Sequence, residues 1–521
     1  MEKETKAQRV ERIKSQKDGL DVLSDIYRYA KSGEEINPED IDRFKWYGLY
    51  TQNSNLQDKD DTKLYFMLRV KLVEGSLNLE QIEALAKISQ MYARGTADFT
   101  TRQDIQFHFI KVEDLPLIFE SLNSVGLTTI FAAGDVPRNV VSCPINSVDE
   151  GRIYDVSTIV KEINEYYDAN KDVSNLPRKY KVGISGCSKH CASHEIQDLS
   201  FNAVKLKDGR VLFDVNVGGG LASNKRIASH IGYAQAKQVL AVTKAVTEIY
   251  KEYGGRENRN KARVGHLLDA FGVEKFIDLL HSKLGFCLEN GELQSYTPYA
   301  KREHFGVHSS IKEGRSYIGC AVNGGKIGAD GLYALLKILQ KYGATAIKAT
   351  TTQNFVITDL PTHNAQEAVK ELSSIGIDAN PSPFKARTLS CTGMNFCKFA
   401  VSETKNLAIE LAESLQKKFP NFDEPISFSV NGCPHSCAHS HIVDIGLLGC
   451  KLKHNGEMVS GFELILGGNL EGERSNFGKK TGIKFISQDA IKSVESIIES
   501  YISSHYKNFH DYALGIVSEV R

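Results

Sequence analysis

No run of about 18 consecutive apolar residues occurs in the sequence, which excludes a conventional membrane-spanning helix. The N-terminal stretch MEKETKAQRVERIKSQKDG lacks the apolar centre of a secretory signal, so a cytoplasmic setting is expected. Neither charge is in excess. The 64 Lys+Arg balance 64 Asp+Glu, so no global field draws nucleic acid or an anionic membrane, and any cationic site must be local. Low-complexity linkers are also missing, and the chain is expected to pack as one body. The 521 residues leave room for roughly two to four domains with full-sized cores. In a reducing compartment the 10 cysteines are expected to be thiols or metal ligands rather than a disulfide framework.

What the sequence does contain is a duplication. GISGCSKHCASHEIQDLSFNAVKL from Gly183 matches SVNGCPHSCAHSHIVDIGLLGCKL from Ser429, pairing Cys187, Cys191, Asp198 and Lys205 with Cys433, Cys437, Asp444 and Lys451 at one constant offset. Val73-Glu74-Gly75 answers Asn323-Gly324-Gly325, SVGL from Ser124 answers SSIGI from Ser373, and VNVGGGL near Gly218 answers LILGGNL near Asn469. The chain thus reads as two related halves of about 250 residues. YFMLRVKL from Tyr65 and DIQFHFIKV from Asp104 alternate as strands, whereas LEQIEALAKISQMYA from Leu79 and LPLIFESLNSVG from Leu115 have helical period. This is a split β-α-β unit with a copy from about Tyr317 to Ile377, so a mixed α/β or α+β fold is expected. The stretches from Ala228 and from Asn258 each read as one long helical segment.

The cysteines carry the chemistry. Cys391-x5-Cys397 and Cys433-x3-Cys437 offer four thiolates from two loops, enough for a zinc ion or a cubane iron–sulfur cluster. Structural zinc favours C-x2-C knuckles, and neither spacing is one, so the cluster reading leads. In the first half Cys143, Cys187 and Cys191 repeat three of these positions, but Asp149 stands where Cys397 has its counterpart; they read as remnants of duplication, with His190 and His194 leaving room for another metal.

Together with these cysteines, RFKWYGLYTQ from Arg43, TTRQDIQFH from Thr100, GDVPRNVVSCP from Gly134 and LPRKYK from Leu176 resemble the sirohaem-dependent sulfite and nitrite reductase family over nearly the whole chain. The resemblance implies two ferredoxin-like split β-α-β units and two sirohaem- or cluster-binding α/β domains. The expected divisions are an N-terminal extension over 1–60, a ferredoxin-like half-domain over 61–130, a sirohaem-type domain over 131–300, a second ferredoxin-like half-domain over 301–380 and a cluster-bearing domain over 381–521. It also implies a sirohaem and a 4Fe–4S cluster bridged by Cys437, with Cys391, Cys397 and Cys433 completing the cluster. Arg69, Arg138, Lys179 and Lys181 match the positions that bind the oxyanion and supply protons, and Arg102, Gln106, Arg178, Gln353 and Asn469 are expected at the cofactor. Independently of the family, a buried polycarboxylate demands such a concentration of cations.

The implied activity is six-electron reduction of sulfite to sulfide. Lys181 favours sulfite, since nitrite-type members carry Asn at that position; reduction of nitrite to ammonia, or a non-catalytic sirohaem-binding role, are the alternatives. GGGL at Gly218 is not a strand-turn-helix nucleotide fingerprint, so electrons are expected from a separate ferredoxin or flavoprotein.

Overall fold

A side chain at positive φ is tolerated at few positions, so a matched series of them marks two backbones as copies. In this computed structural model Glu74, Gln103, Phe109, His190 and Ser193 have φ of 58°, 56°, 61°, 48° and 50°. Gly324, Gln353, Asp359, Ser436 and His439 answer them at 57°, 63°, 60°, 51° and 65°. The structure describes residues 4–54, 57, 60–222, 225–294, 303–470 and 475–519.

Each half begins with an antiparallel sheet. In the first, the order is Leu49–Thr51, Phe66–Val70, Ile105–Ile110, Asp98–Phe99; in the second, Gly306–Ser309, Arg315–Cys320, Phe355–Pro361, Ala346–Ala349. The second sheet gains a fifth strand from the first half, Ser76–Asn78, with Leu77 opposite Ile347. In the converse exchange, Asp98 of the first half bridges Lys326. The helices over these sheets follow from local signals. Leu79–Tyr92 starts on an Asn78–Gln81 capping box, and Gly328–Tyr342, against which it packs, ends on left-handed Gly343.

Each half then builds a mixed sheet. Val141–Ser142, Val182–Ser185 and Leu199–Lys205 run parallel and are followed by antiparallel Val211–Val217 and Ser229–Ala234. The copy uses Thr388–Ser390, Phe428–Asn431, Ile445–His454, Glu457–Leu466 and Lys479–Ile486. Both C-x3-C loops therefore leave the carboxyl end of the second parallel strand. One apolar core runs from Leu20 through both ferredoxin-like sheets to Ala379, and a second fills the C-terminal sheet and its helices.

Two expected helices divide. The stretch from Ala228 first forms strand Ser229–Ala234, because Ser229, His230, Tyr233 and Ala234 pair across to Val211–Val217, with a register shift between His230 and Gly232, whose φ is 130°, and the helix starts only at Val239. The stretch from Asn258 breaks into Val264–Phe271 and Val273–Leu284 at Gly272, whose φ of 79° no α-helix accommodates.

Two buried glutamines tie the halves together. Gln103 donates to the Ala349 carbonyl at 2.7 Å and accepts from the Ser142 amide at 2.7 Å. Gln353 mirrors it, donating to Phe99 and Ser390 carbonyls at 3.2 and 3.0 Å and accepting from the Ser390 amide at 2.9 Å. Truncation strands a buried carbonyl and a buried N–H in each case. Gln103→Ala and Gln353→Ala should each destabilise the protein by about 2–4 kcal/mol, read as a lower denaturation midpoint, whereas Ala at exposed Gln16 should leave it unchanged.

Candidate active site

The second-half cysteine loops are held by the first half. Asn53 donates through its backbone to the Phe396 carbonyl at 2.8 Å and through its side chain to the Met394 carbonyl at 2.9 Å. Lys398 reaches Thr51 Oγ1 at 2.8 Å, and the Phe396 ring stacks on buried His108 with centroids 3.8 Å apart. Thr101 donates to the Cys437 carbonyl at 3.3 Å, while Gln106 on strand Ile105–Ile110 donates to Thr392 Oγ1 at 3.1 Å, beside Cys391. The four predicted cysteines converge: Cys437 acts electrostatically on Cys391, Cys397 and Cys433. Burial pushes Cys391 up to about 11 and Cys433 up to about 12, so a metal must displace their protons. The Gly432 amide already points at Cys391 Sγ, 3.2 Å away. Cys433 is buried, whereas Cys437 is exposed towards the first half.

Lys179, which Cys437 acts on electrostatically, stands in a cluster of cations. Arg69 reaches the Ala132 carbonyl and Gln106 Oε1, both at 3.4 Å. Arg102 is fixed by Gln197 Oε1 at 2.6 Å and the Val182 carbonyl at 2.8 Å, and burial pulls it down to about 9. Arg138 is held by the carbonyls of Gly134 and Ala132 at 2.7 and 3.1 Å and by Tyr50 at 3.3 Å. Lys179 and Lys181 have no hydrogen bond or ion pair from either ammonium group among the described residues. Burial and then Arg263 and Arg178 lower Lys179 to about 8, against the raising influence of Cys437. Lys181 is pushed well down by burial and by Lys179.

Three of the residues expected at the cofactor also make contacts within the protein. Arg178 points to Asp135 at 3.2 Å, a carboxylate that Arg259 grips with two bonds of 2.8 and 2.9 Å. Gln353 spends its amide on backbone groups. Asn469 lines a cavity of about 240 Å³ together with Glu303, Thr351, Arg387 and His439, and bonds His510 at 2.9 Å; Cys437, Lys179 and Lys181 do not line that cavity. The sequence reading also missed two residues. Arg263 forks onto Asp198 at 2.9 and 2.6 Å beneath the lysines, with no motif to announce it. Tyr50 lay within a quoted motif, yet its chemistry shows only in the fold. Burial would raise its phenol, but Arg138, Arg69 and Lys179 outweigh it and bring it down to about 7.

These residues fit an anionic cofactor beside a polynuclear cluster. Arg69 Nε and Arg102 Nε are buried without a partner, and the two lysines are unneutralised. Four thiolates on one tetrahedral ion would lie about 3.8 Å apart, given Zn–S bonds of about 2.3 Å. Among the described residues no three of these four cysteines lie within 4.8 Å of one another.

Comparison with known proteins gives a concordant picture. The nitrite and sulphite reductase 4Fe-4S domain matches residues 133–287 and 384–513, and the nitrite/sulfite reductase ferredoxin-like half domain matches 57–125 and 310–375. The chain is 34% identical to a protein named sulfite reductase [ferredoxin] 2 from Mycolicibacterium paratuberculosis, over 93% of this chain and 88% of that one. It is 31% identical to a ferredoxin–nitrite reductase of Synechococcus elongatus, over 92% and 94%. The solved structure of Mycobacterium tuberculosis NirA protein superposes with a TM-score of 0.92 at 32% identity, covering 98% of this chain and 97% of that one. No helix among the described residues is long and apolar enough to cross a membrane.

Tyr50 offers a direct test of this electrostatic picture. In protein free of anionic ligands its near-ultraviolet tyrosinate signal should titrate near pH 7 rather than near 10 and should vanish in Tyr50→Phe. Because the folded value lies below the free one, ionised Tyr50 stabilises the fold at alkaline pH, and this contribution is lost as pH falls through about 7. Adding a polycarboxylate that neutralises the cations should move the titration upwards.

Proposed function

Because the chain belongs to the sulfite and nitrite reductase family, we propose that it reduces sulfite to sulfide with six electrons, at a sirohaem joined through Cys437 to a 4Fe–4S cluster completed by Cys391, Cys397 and Cys433. The observation that carries this reading is the meeting at Cys437 of a four-cysteine set with Lys179, an ammonium without a counter-ion that stands beside Lys181. When bound, the sirohaem supplies a reducing iron for the central atom of the oxyanion, and the cluster supplies it with electrons.

The protein's own groups do the rest. Arg102 keeps an unpartnered guanidinium Nε–H for the cofactor's carboxylates and Arg69 keeps one for the oxyanion, while Gln106 on strand Ile105–Ile110 reaches the cluster loop. Arg138, fixed by carbonyls, and the two lysines bind the oxyanion in place of water. Each departing oxygen needs protons. Lys179, brought down to about 8, stays charged at neutral pH yet releases its proton readily, and Tyr50, brought to about 7 by the neighbouring cations, can give up and take back a proton near neutral pH. Electrons enter from a ferredoxin, as the names of the relatives suggest; the docking face is the exposed side of the cluster loop, where Phe399 is 54% exposed next to Cys397. Cytoplasmic operation accords with that donor.

Nitrite reduction is the competing reading, because relatives of similar identity carry that name. Sulfite is preferred on Lys181. A dianion with three oxygens gains more from a second ammonium in a water-poor site than a monoanion with two. Lys181→Asn should cost on the order of 2–4 kcal/mol of transition-state stabilisation, or roughly 30- to 1000-fold in sulfite kcat/KM, while largely sparing nitrite. The check is the ratio of kcat/KM for the two substrates at equal sirohaem occupancy, and an unchanged ratio would remove the preference. Cys437→Ser should abolish turnover and the magnetic coupling between haem and cluster, since serine is a poor bridge between soft metals; coupled signals in that variant would defeat the ligand assignment.

A further inference from the structure

The first-half cysteines are not an isolated remnant. Cys143 Sγ, Cys191 Sγ and a ring nitrogen of His304 all lie within 4.8 Å of one another, and Cys187 Sγ is 3.6 Å from Cys191 Sγ. Exposures are 1%, 4% and 3% for Cys143, Cys191 and Cys187 and 7% for His304, so water does not solvate the group. His304 Nε2 is buried with no hydrogen-bond partner. Such an orphan in a native interior calls for a ligand. The residues that suggested a metal from sequence, His190 and His194, instead pack their rings edge to face with centroids 5.2 Å apart, whereas His304 comes from outside the motif, just before strand Gly306–Ser309.

We propose that Cys143, Cys187, Cys191 and His304 form a closed, mononuclear zinc site that staples the first mixed sheet to the second ferredoxin-like sheet. Three sulfurs and one imidazole nitrogen are a donor set that zinc takes up in structural sites, tetrahedral and without an open position. The 3.6 Å between the Cys187 and Cys191 sulfurs fits a single ion, for which bonds of about 2.3 Å place neighbouring sulfurs about 3.8 Å apart, and Cys187, outside the mutually close trio, turns in to complete the shell. A cubane would carry each thiolate on a different iron and spread them further. It would also lack its fourth cysteine, because Asp149 accepts a hydrogen bond from Tyr317 at 3.1 Å. The ligands come from the ends of Val141–Ser142 and Val182–Ser185 and from the approach to Gly306–Ser309, so the ion closes a very long chain loop and stabilises the native state by binding it selectively.

Elemental analysis of the purified holoenzyme should find about one zinc per chain beside the iron of its cofactors. X-ray absorption at the zinc edge should show three sulfurs at about 2.3 Å and one nitrogen at about 2.0–2.1 Å. Cys187→Ser and His304→Ala should lose the zinc while iron, acid-labile sulfide and sirohaem absorbance stay unchanged. His304→Cys should retain the zinc with four sulfurs, which keeps the test decisive if His304→Ala misfolds. Wild-type protein without stoichiometric zinc, a shell of oxygen and nitrogen alone, or a fall in iron with Cys187→Ser would each overturn the proposal.

Discussion

Like charges do not gather in a protein interior unless something holds them there, and the working face of this molecule is a gathering of arginines and lysines beside one exposed thiol. The fold restrains their repulsion without neutralising it. Backbone carbonyls hold Arg138 and one end of Arg102, and Asp198 anchors Arg263 beneath the lysines. Lys181 gives Asp198 only its backbone amide, at 2.8 Å, so its side-chain nitrogen stays free of that carboxylate and open to whatever enters. The same field draws Tyr50 down towards neutrality and keeps Lys179 poised for proton transfer.

The two halves have divided the labour along this line. The offset that aligns Cys187 and Cys191 with Cys433 and Cys437 places Glu424, Pro425 and Ser427 where the first half has Arg178, Lys179 and Lys181. Ser427 still gives its amide to Asp444 at 2.8 Å, as Lys181 does to Asp198, so the scaffold persists where the cations are gone. Asp444 is bonded by the Ser427 hydroxyl rather than by an arginine, and burial raises it. The cationic side therefore belongs to one copy and the four-cysteine side to the other, and each is completed only across the seam.

Much of this was legible in the sequence because it is periodic or repeated. The alternation in Phe66–Val70 and Ile105–Ile110, the capping of Leu79–Tyr92 and the constant cysteine offset are local signals, and the fold keeps them. What was not legible depends on long-range contacts. The bonds of Gln353 to Phe99 and Ser390 and of Arg178 to Asp135 join residues far apart in the chain, and no local pattern announces them. Arg263 and His304 reach their partners from outside any motif. Gly272, which divides one apparent helix, shows that glycine outweighs helical period where the backbone must turn, and the strand around Gly232 is set by pairing to Val211–Val217.

The strand Ser76–Asn78 belongs by sequence to the first half but pairs with Ala346–Ala349, roughly 270 residues later. During synthesis at about 5–20 residues per second, that strand waits on the order of 15–50 s for its sheet to exist. Over that interval the edge of the emerging first half cannot reach its native pairing, and Gln103 has no Ala349 carbonyl to bind. The first half is thus not a finished unit until the second half has been made, and the seam between them is the last part of the fold to close.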